Sequence, residues 1–96
     1  MKDSVFRFKE EAFVMRETDN EMVLVPMSNN IVDMTTVLTL NETAAEILKN
    51  LDGKRSISDV YNIISDKYDI ENTILENDVI QFVENAKNRN IIVEII

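Results

Sequence analysis

The sequence predicts an α+β fold in which a three-stranded antiparallel sheet is followed by three helices. Apolar and β-branched residues alternate or cluster in the first forty positions, which favours strands, whereas apolar residues after position 41 recur at helical spacing. The hydrophobic content of 45%, with one Gly and one Pro, is typical of a globular chain. Because 96 residues bury only about 60–65% of their unfolded surface, we expect residues 1–96 to share one core as a single domain.

The first two strands are predicted at residues 13–18 (FVMRET) and 22–27 (MVLVPM). Asp19 and Asn20 lie between them and tolerate positive φ, so a tight hairpin turn is expected there. The third strand is predicted within residues 34–40, where apolar and threonine side chains alternate.

The first two helices are predicted from their caps. Asn41 is a favourable N-cap for a helix that runs to about Leu51, and Gly53 follows as a residue that adopts the left-handed conformation without steric cost. Ser56 and Asp59 match a capping box, which predicts the start of the second helix.

The third helix has the strongest periodic pattern and is predicted over residues 72–88. Its apolar positions are Leu75, Val79, Phe82, Val83 and Ala86. After a left-handed Asn90, residues 91–96 (IIVEII) are predicted to form a short strand or extended segment. This order of elements indicates a winged helix-turn-helix-like arrangement.

The composition argues against catalysis. The chain has no His and no Cys, and its single Gly excludes a phosphate-binding glycine loop. Adjacent carboxylates such as Glu10 and Glu11 are interpreted as solvated surface charges. We therefore expect no enzyme activity, no catalytic residues, no metal site and no cofactor.

The net charge and the hydropathy of the chain argue against two classes of partner, nucleic acids and membranes. The net charge of −8 repels phosphate backbones, so nucleic acid is not an expected ligand. No apolar run approaches the roughly 18 residues of a membrane span, and the charged N-terminus lacks the apolar region of a signal peptide. The absence of cysteine makes the cytoplasm the expected location. Because no apolar run is long enough to span a membrane, no membrane contact is expected.

Three stretches carry a resemblance to a known family: LNETAAEIL, LDGKRSISDVYNIISDKYDI and DVIQFVENAKNRNIIVE. Together they resemble the pyrroloquinoline quinone biosynthesis protein D (PqqD) family over about residues 13–94. The resemblance implies a peptide-recognition domain without catalysis, which binds the leader of a ribosomally made precursor peptide. It further implies that the leader is presented to a modifying enzyme, often a radical SAM protein.

The predicted fold offers a place for such a peptide. A three-stranded sheet has an unpaired edge, to which an extended chain can add as a further strand. We expect this edge on the third strand, where the family's peptide also lies, with the groove wall on the third helix. The predicted peptide-binding residues are Thr35, Thr36, Val37, Leu38, Thr39, Val79, Val83 and Lys87.

Two other functions stay open at this stage. One is a generic protein-interaction module, and the other is a DNA-binding regulator that would read bases with the third helix. Exposed positions of that helix would be Glu76, Asn77, Gln81, Glu84 and Asn85, a set that includes carboxylates and no Arg or Lys. The apolar C-terminus and the unpaired strand edges also leave a homodimer open.

Overall fold

The computed structural model describes residues 2–19, 21–28, 31–32 and 37–95. Helices and strands together occupy most of these residues. In chain order they are β1 (Val5–Phe8), β2 (Phe13–Glu17), β3 (Met22–Ser28), β4 (Ile31–Val32), β5 (Leu38–Leu40), α1 (Glu42–Asn50), β6 (Asp52–Ser56), α2 (Ile57–Lys67), α3 (Asn72–Asn88) and β7 (Ile92–Glu94).

The predicted antiparallel sheet is confirmed and is built around β3. Strand β2 pairs with one edge of β3, from Phe13 opposite Pro26 to Glu17 opposite Met22. Strand β5 pairs with the other edge, where Leu40 lies opposite Met22, and β4 pairs further along β3. The predicted third strand is therefore seen at its C-terminal end as β5, whereas residues 33–36 lie outside the described residues.

A second sheet has the strand order β6-β1-β7, and only its terminal strand was predicted. Strand β1 is central: Val5 lies opposite Ser56 of β6, and Phe6 lies opposite Glu94 of β7. The β1–β6 register shifts between Val5 and Arg7. Gly53 has the left-handed φ of +81° that was expected, but it lies inside β6 and not in a simple turn between two helices.

The caps predicted for α1 and α2 are confirmed. The Ala44 amide donates to Asn41 Oδ1 at 2.8 Å at the start of α1. In the capping box of α2, the Asp59 amide donates to Ser56 Oγ at 3.2 Å, and the Ser56 amide donates to Asp59 Oδ2 at 3.1 Å. Beyond α3, Asn90 has a φ of +60°, which is the predicted left-handed position. Side-chain hydrogen bonds therefore set where both short helices begin.

One cluster of buried side chains joins both sheets and all three helices. It includes Phe6 of β1, Leu24 of β3, Leu48 of α1, Ile64 of α2 and Val83 of α3. The apolar stripe of α3 is thereby used for the core, and its neighbouring faces are left for other contacts. None of the helices in the described ranges is long and apolar enough to cross a membrane.

Candidate functional site: a groove between an unpaired strand edge and helix α3

The outer edge of β5 is unpaired in the part of the chain that the structure describes. Strand β5 pairs with β3 along one side, and no described strand lies along its other side. The apolar C-terminal segment does not cover this edge, because β7 pairs with β1 in the second sheet. The backbone groups on that side of β5 are therefore available to a further strand.

A groove runs beside this edge, between β5 and α3. Its apolar part has a volume of about 220 Å³. The strand contributes Leu38, Thr39 and Leu40 to its lining. The opposite wall and the end of the groove are formed by Phe82, Asn85, Ala86, Arg89 and Ile91. Most of this lining is apolar, so the groove can bury apolar side chains of a bound chain.

A more polar cavity of about 230 Å³ adjoins the groove at the N-terminus of α1. Phe82 and Asn85 line both cavities, so the two lie side by side along α3. The remaining lining residues of the polar part are Asn41, Thr43, Ala44, Ile47, Asp78 and Gln81. The site therefore has an apolar end beside β5 and a polar end beside α1.

Helical spacing places the groove-lining residues on one face of α3. Asp78, Phe82, Asn85 and Arg89 follow each other at intervals of four, three and four residues, which keeps them on one side of a helix and its C-cap. Phe82 is partly buried and packs against the core cluster. Phe82 thus lies at the border between the core face of the helix and the groove face.

The structure brings together only part of the predicted site. Leu38 and Thr39 line the groove, and Val37 directly precedes β5 and is half-buried. Thr35 and Thr36 lie outside the described residues.

The predicted helix residues have other places in the structure. Val79 and Val83 are 1% and 0% exposed, so they lie in the core and do not line the groove. Lys87 is exposed and forms an ion pair with Glu94, with 3.7 Å between Lys87 Nζ and Glu94 Oε1. Val79 and Val83 are absent from the groove because the apolar stripe of α3, to which they belong, packs into the core.

We did not predict from the sequence that Phe82, Asn85 and Ala86 of α3, with Arg89 at its C-cap, line the groove. A signal for them was present in Phe82, an aromatic residue beside the buried Val83. A large apolar side chain at the border of a buried stripe can contact both the core and a bound chain.

Charges of opposite sign mark the two ends of the groove. Asp78 lines the polar part, and Arg89 lines the apolar part near Ile91. Within the described residues, neither takes part in a salt bridge, whereas Lys87 is paired with Glu94 and Lys49 with Glu17. The groove therefore presents a carboxylate at one end and a guanidinium at the other.

A strongly shifted pKa lies outside the groove lining. The hydrogen bonds from the Arg7 guanidinium lower the pKa of Glu11 from its usual 4.5 to about 2. Two bonds join these side chains, at 3.0 and 2.9 Å. This pair ties β1 to the turn that precedes β2 and is part of the scaffold.

The chemistry that the groove offers is binding. Among residues 2–19, 21–28, 31–32 and 37–95, no group of three or more acidic side chains is placed to hold a metal ion. An unpaired strand edge beside an apolar groove provides hydrogen bonds to an extended backbone and burial for its alternate side chains.

Comparison with known families matches residues 21–92 to the family described as Coenzyme PQQ synthesis protein D (PqqD). The chain belongs to the PqqD family. The matched range begins just before β3 and ends in β7, so it contains both walls of the groove. No match was found among curated individual proteins.

Two solved structures share the architecture of this PqqD-family chain. The first is described as lasso peptide synthetase B1 complexed with the leader peptide, and it is 28% identical, with a TM-score of 0.72 over 92% of this chain and 96% of that one. The second is described as TbiB1 in complex with the TbiA(beta) leader peptide. It is 19% identical, with a TM-score of 0.71 over 90% of this chain and 93% of that one, and shows likeness of fold alone.

Proposed function

We propose that this PqqD-family protein is a non-catalytic adaptor that binds the leader of a ribosomally synthesised precursor peptide by strand addition at β5. The observation that carries the proposal is the unpaired edge of β5 facing the groove along α3. Family membership supports it, as do the two similar structures, whose descriptions name bound leader peptides.

The edge and the groove supply different parts of the binding. Main-chain hydrogen bonds to β5 give affinity for any extended chain, and the groove selects among side chains at alternate positions. Every strand pair among the described residues is antiparallel, and antiparallel pairing is slightly more stable than parallel pairing. An antiparallel leader is therefore the expected occupant.

The binding residues follow from this placement. On the sheet side we propose Val37, Leu38 and Thr39, with Thr35 and Thr36 extending the same edge as predicted from the sequence. On the helix side, Phe82, Asn85 and Arg89 take the place of the predicted Val79, Val83 and Lys87 as the groove wall.

The partner of the complex is a modifying enzyme that acts on the precursor. A radical SAM enzyme is the class that the sequence resemblance favours, and we propose that the adaptor meets it in the cytoplasm, where precursors are translated. We propose that residues 1–96 form one peptide-recognition domain.

Asn85 allows a direct test, because it is exposed and lines both parts of the groove. Asn85→Trp fills the middle of the groove without changing a core residue. Glu84→Trp is the matched control, since Glu84 is also exposed and is absent from the lining of both cavities. The probe is the labelled leader segment of the precursor encoded beside the gene, followed by fluorescence anisotropy.

We expect Asn85→Trp to weaken binding by at least about tenfold, or about 1.4 kcal/mol, and Glu84→Trp to leave it unchanged. Equal affinities of the two variants would contradict the placement of the peptide. If the unaltered protein binds the neighbouring enzyme but no leader, the generic interaction module is the better account. Binding to duplex DNA that weakens with salt would instead favour the DNA-binding alternative.

A further inference from the structure

We infer that the groove selects leaders by the order of their charges. A basic residue, an apolar residue and an acidic residue are expected at alternate positions, from the N-terminus to the C-terminus of the bound segment. This inference rests on the proposed function and adds the chemical character of the peptide. It is carried by three groove-lining side chains, Asp78 and Phe82 of α3 and Arg89 at its C-cap.

The spacing of these side chains matches a short extended segment. Asp78 and Arg89 are eleven positions apart in the sequence, which corresponds to about 16 Å along a helix. The first and fifth residues of an extended strand are about 13 Å apart, and the long side chains of Lys and Glu span the remaining roughly 3 Å. Phe82 comes about 6 Å after Asp78, close to the roughly 7 Å that separate alternate residues of a strand. Three consecutive side chains on one face of the leader can therefore meet Asp78, the Phe82 region and Arg89.

The direction of β5 relates charge order to chain direction. Strand β5 leads into Asn41, which lines the polar cavity together with Asp78. Arg89 and the residues of β5 line the apolar part of the groove. An antiparallel leader thus enters beside Asp78 and leaves beside Arg89, so its first inward-facing side chain meets a carboxylate and its last meets a guanidinium.

The middle position is apolar. Leu38 and Leu40 from the strand, with Phe82 and Ala86 from the helix, line the groove between the two charges. A charged side chain placed there would lose hydration without gaining a partner. The reversed order would also place like charges together at both ends.

Net attraction must be separated from charge order, because the chain has a net charge of −8 and attracts any basic peptide. Two capped, fluorescently labelled peptides of identical composition achieve this. The forward peptide has Lys, Phe and Glu at alternate positions with Thr between them, and in the reversed peptide Lys and Glu are exchanged. A third peptide carries Gln in place of both charged residues.

We expect the forward peptide to bind about tenfold more tightly than the reversed one at low ionic strength, and the difference to shrink as salt is added. The neutral peptide is expected to bind with intermediate affinity. Equal affinities for all three would overturn the charge-order inference and leave strand addition intact. If none of the three shifts the amide signals of Leu38–Leu40 while the leader segment does, the charge-order inference fails and strand addition stands. If the leader segment also leaves these signals unshifted, both the inference and the proposed function fail.

Variants of the protein provide a second test on exposed residues. Combining Asp78→Lys with Arg89→Glu is expected to invert the preference, so that the reversed peptide binds more tightly. Combining Asp78→Asn with Arg89→Gln is expected to abolish the preference while keeping binding of the neutral peptide. The matched control combines Glu84→Gln with Lys87→Gln, two exposed changes on the same helix outside the groove lining, and should keep the forward preference. A control that loses the preference equally, or a charge exchange that leaves it unchanged, would refute the inference.

Discussion

Methylation of single backbone nitrogens in a bound leader is expected to weaken binding with a period of two residues. On an antiparallel edge, residues of the added strand alternate between those that exchange both hydrogen bonds with the neighbour and those that exchange none. Strand β5 with its three residues, Leu38–Leu40, offers such an edge beside the groove. Methylation should therefore matter only at the leader amides that point towards β5.

The expected loss of affinity follows from the number of main-chain hydrogen bonds that methylation removes. One net hydrogen bond contributes about 1 kcal/mol, so a methyl group at an inward amide should weaken binding about fivefold. Two inward methyl groups should weaken it about 25-fold, whereas an outward methyl group should have little effect and serves as the internal control. Competition against a labelled leader in fluorescence anisotropy measures both series. A loss that does not alternate, or affinities that stay constant at every position, would refute strand addition at this edge.

Three further predictions concern the scaffold that holds the groove. Ser56→Ala removes one half of the capping box and should lower the melting temperature by about 4–8 °C, whereas Ser56→Thr should restore most of it; unchanged melting of the alanine variant would contradict the role of the cap. Gly53→Ala should destabilise the fold by about 1–2 kcal/mol in urea denaturation, because Gly53 has a φ of +81° that alanine adopts only with strain. The added Cβ itself has room, since it meets only Arg7 Cβ at an ordinary 3.4 Å. An unchanged free energy of unfolding would mean that β6 relaxes around the new side chain. Carboxyl NMR should show Glu11 titrating near 2 and returning towards 4.5 in Arg7→Gln, and a midpoint near 4.5 in the unaltered protein would show that the pair is absent in solution. Since the folded pKa is the lower one, the contribution of Glu11 to stability is present above about 4.5 and disappears as the pH falls towards 2.

The elements governed by local signals were predictable from the sequence. The hairpin of β2 and β3, the capping box at Ser56 and the periodic α3 all depend on residues close together in the chain. Strand β6 was not predictable, because its sequence DGKRS has low strand propensity. It forms because β1 pairs with it and because Asp52 Oδ1 accepts from the Lys54 and Arg55 amides, each at 2.9 Å. A pairing between distant segments leaves no local pattern to read.

The same distinction applies to the site. A free edge was expected because a three-stranded sheet leaves its outer strands unpaired, and the family resemblance supported its placement on the third strand. The described part of β5 has that edge. The helix residues that form the groove wall could not be predicted. An apolar stripe at helical spacing does not show which flanking residues face the groove. Burial of Val79 and Val83 assigns that stripe to the core, so the wall lies on the ridge with Phe82 and Asn85.

The proposed function requires that a leader adds to β5 and to no other strand edge. Hydrogen exchange of backbone amides, measured by NMR with and without the leader, tests it most directly. We expect new protection at those amides within Val37–Leu40 that point away from β3, and unchanged exchange along β2, which forms the opposite edge of the same sheet. Protection along β2 or β7, with Val37–Leu40 unchanged, would contradict it.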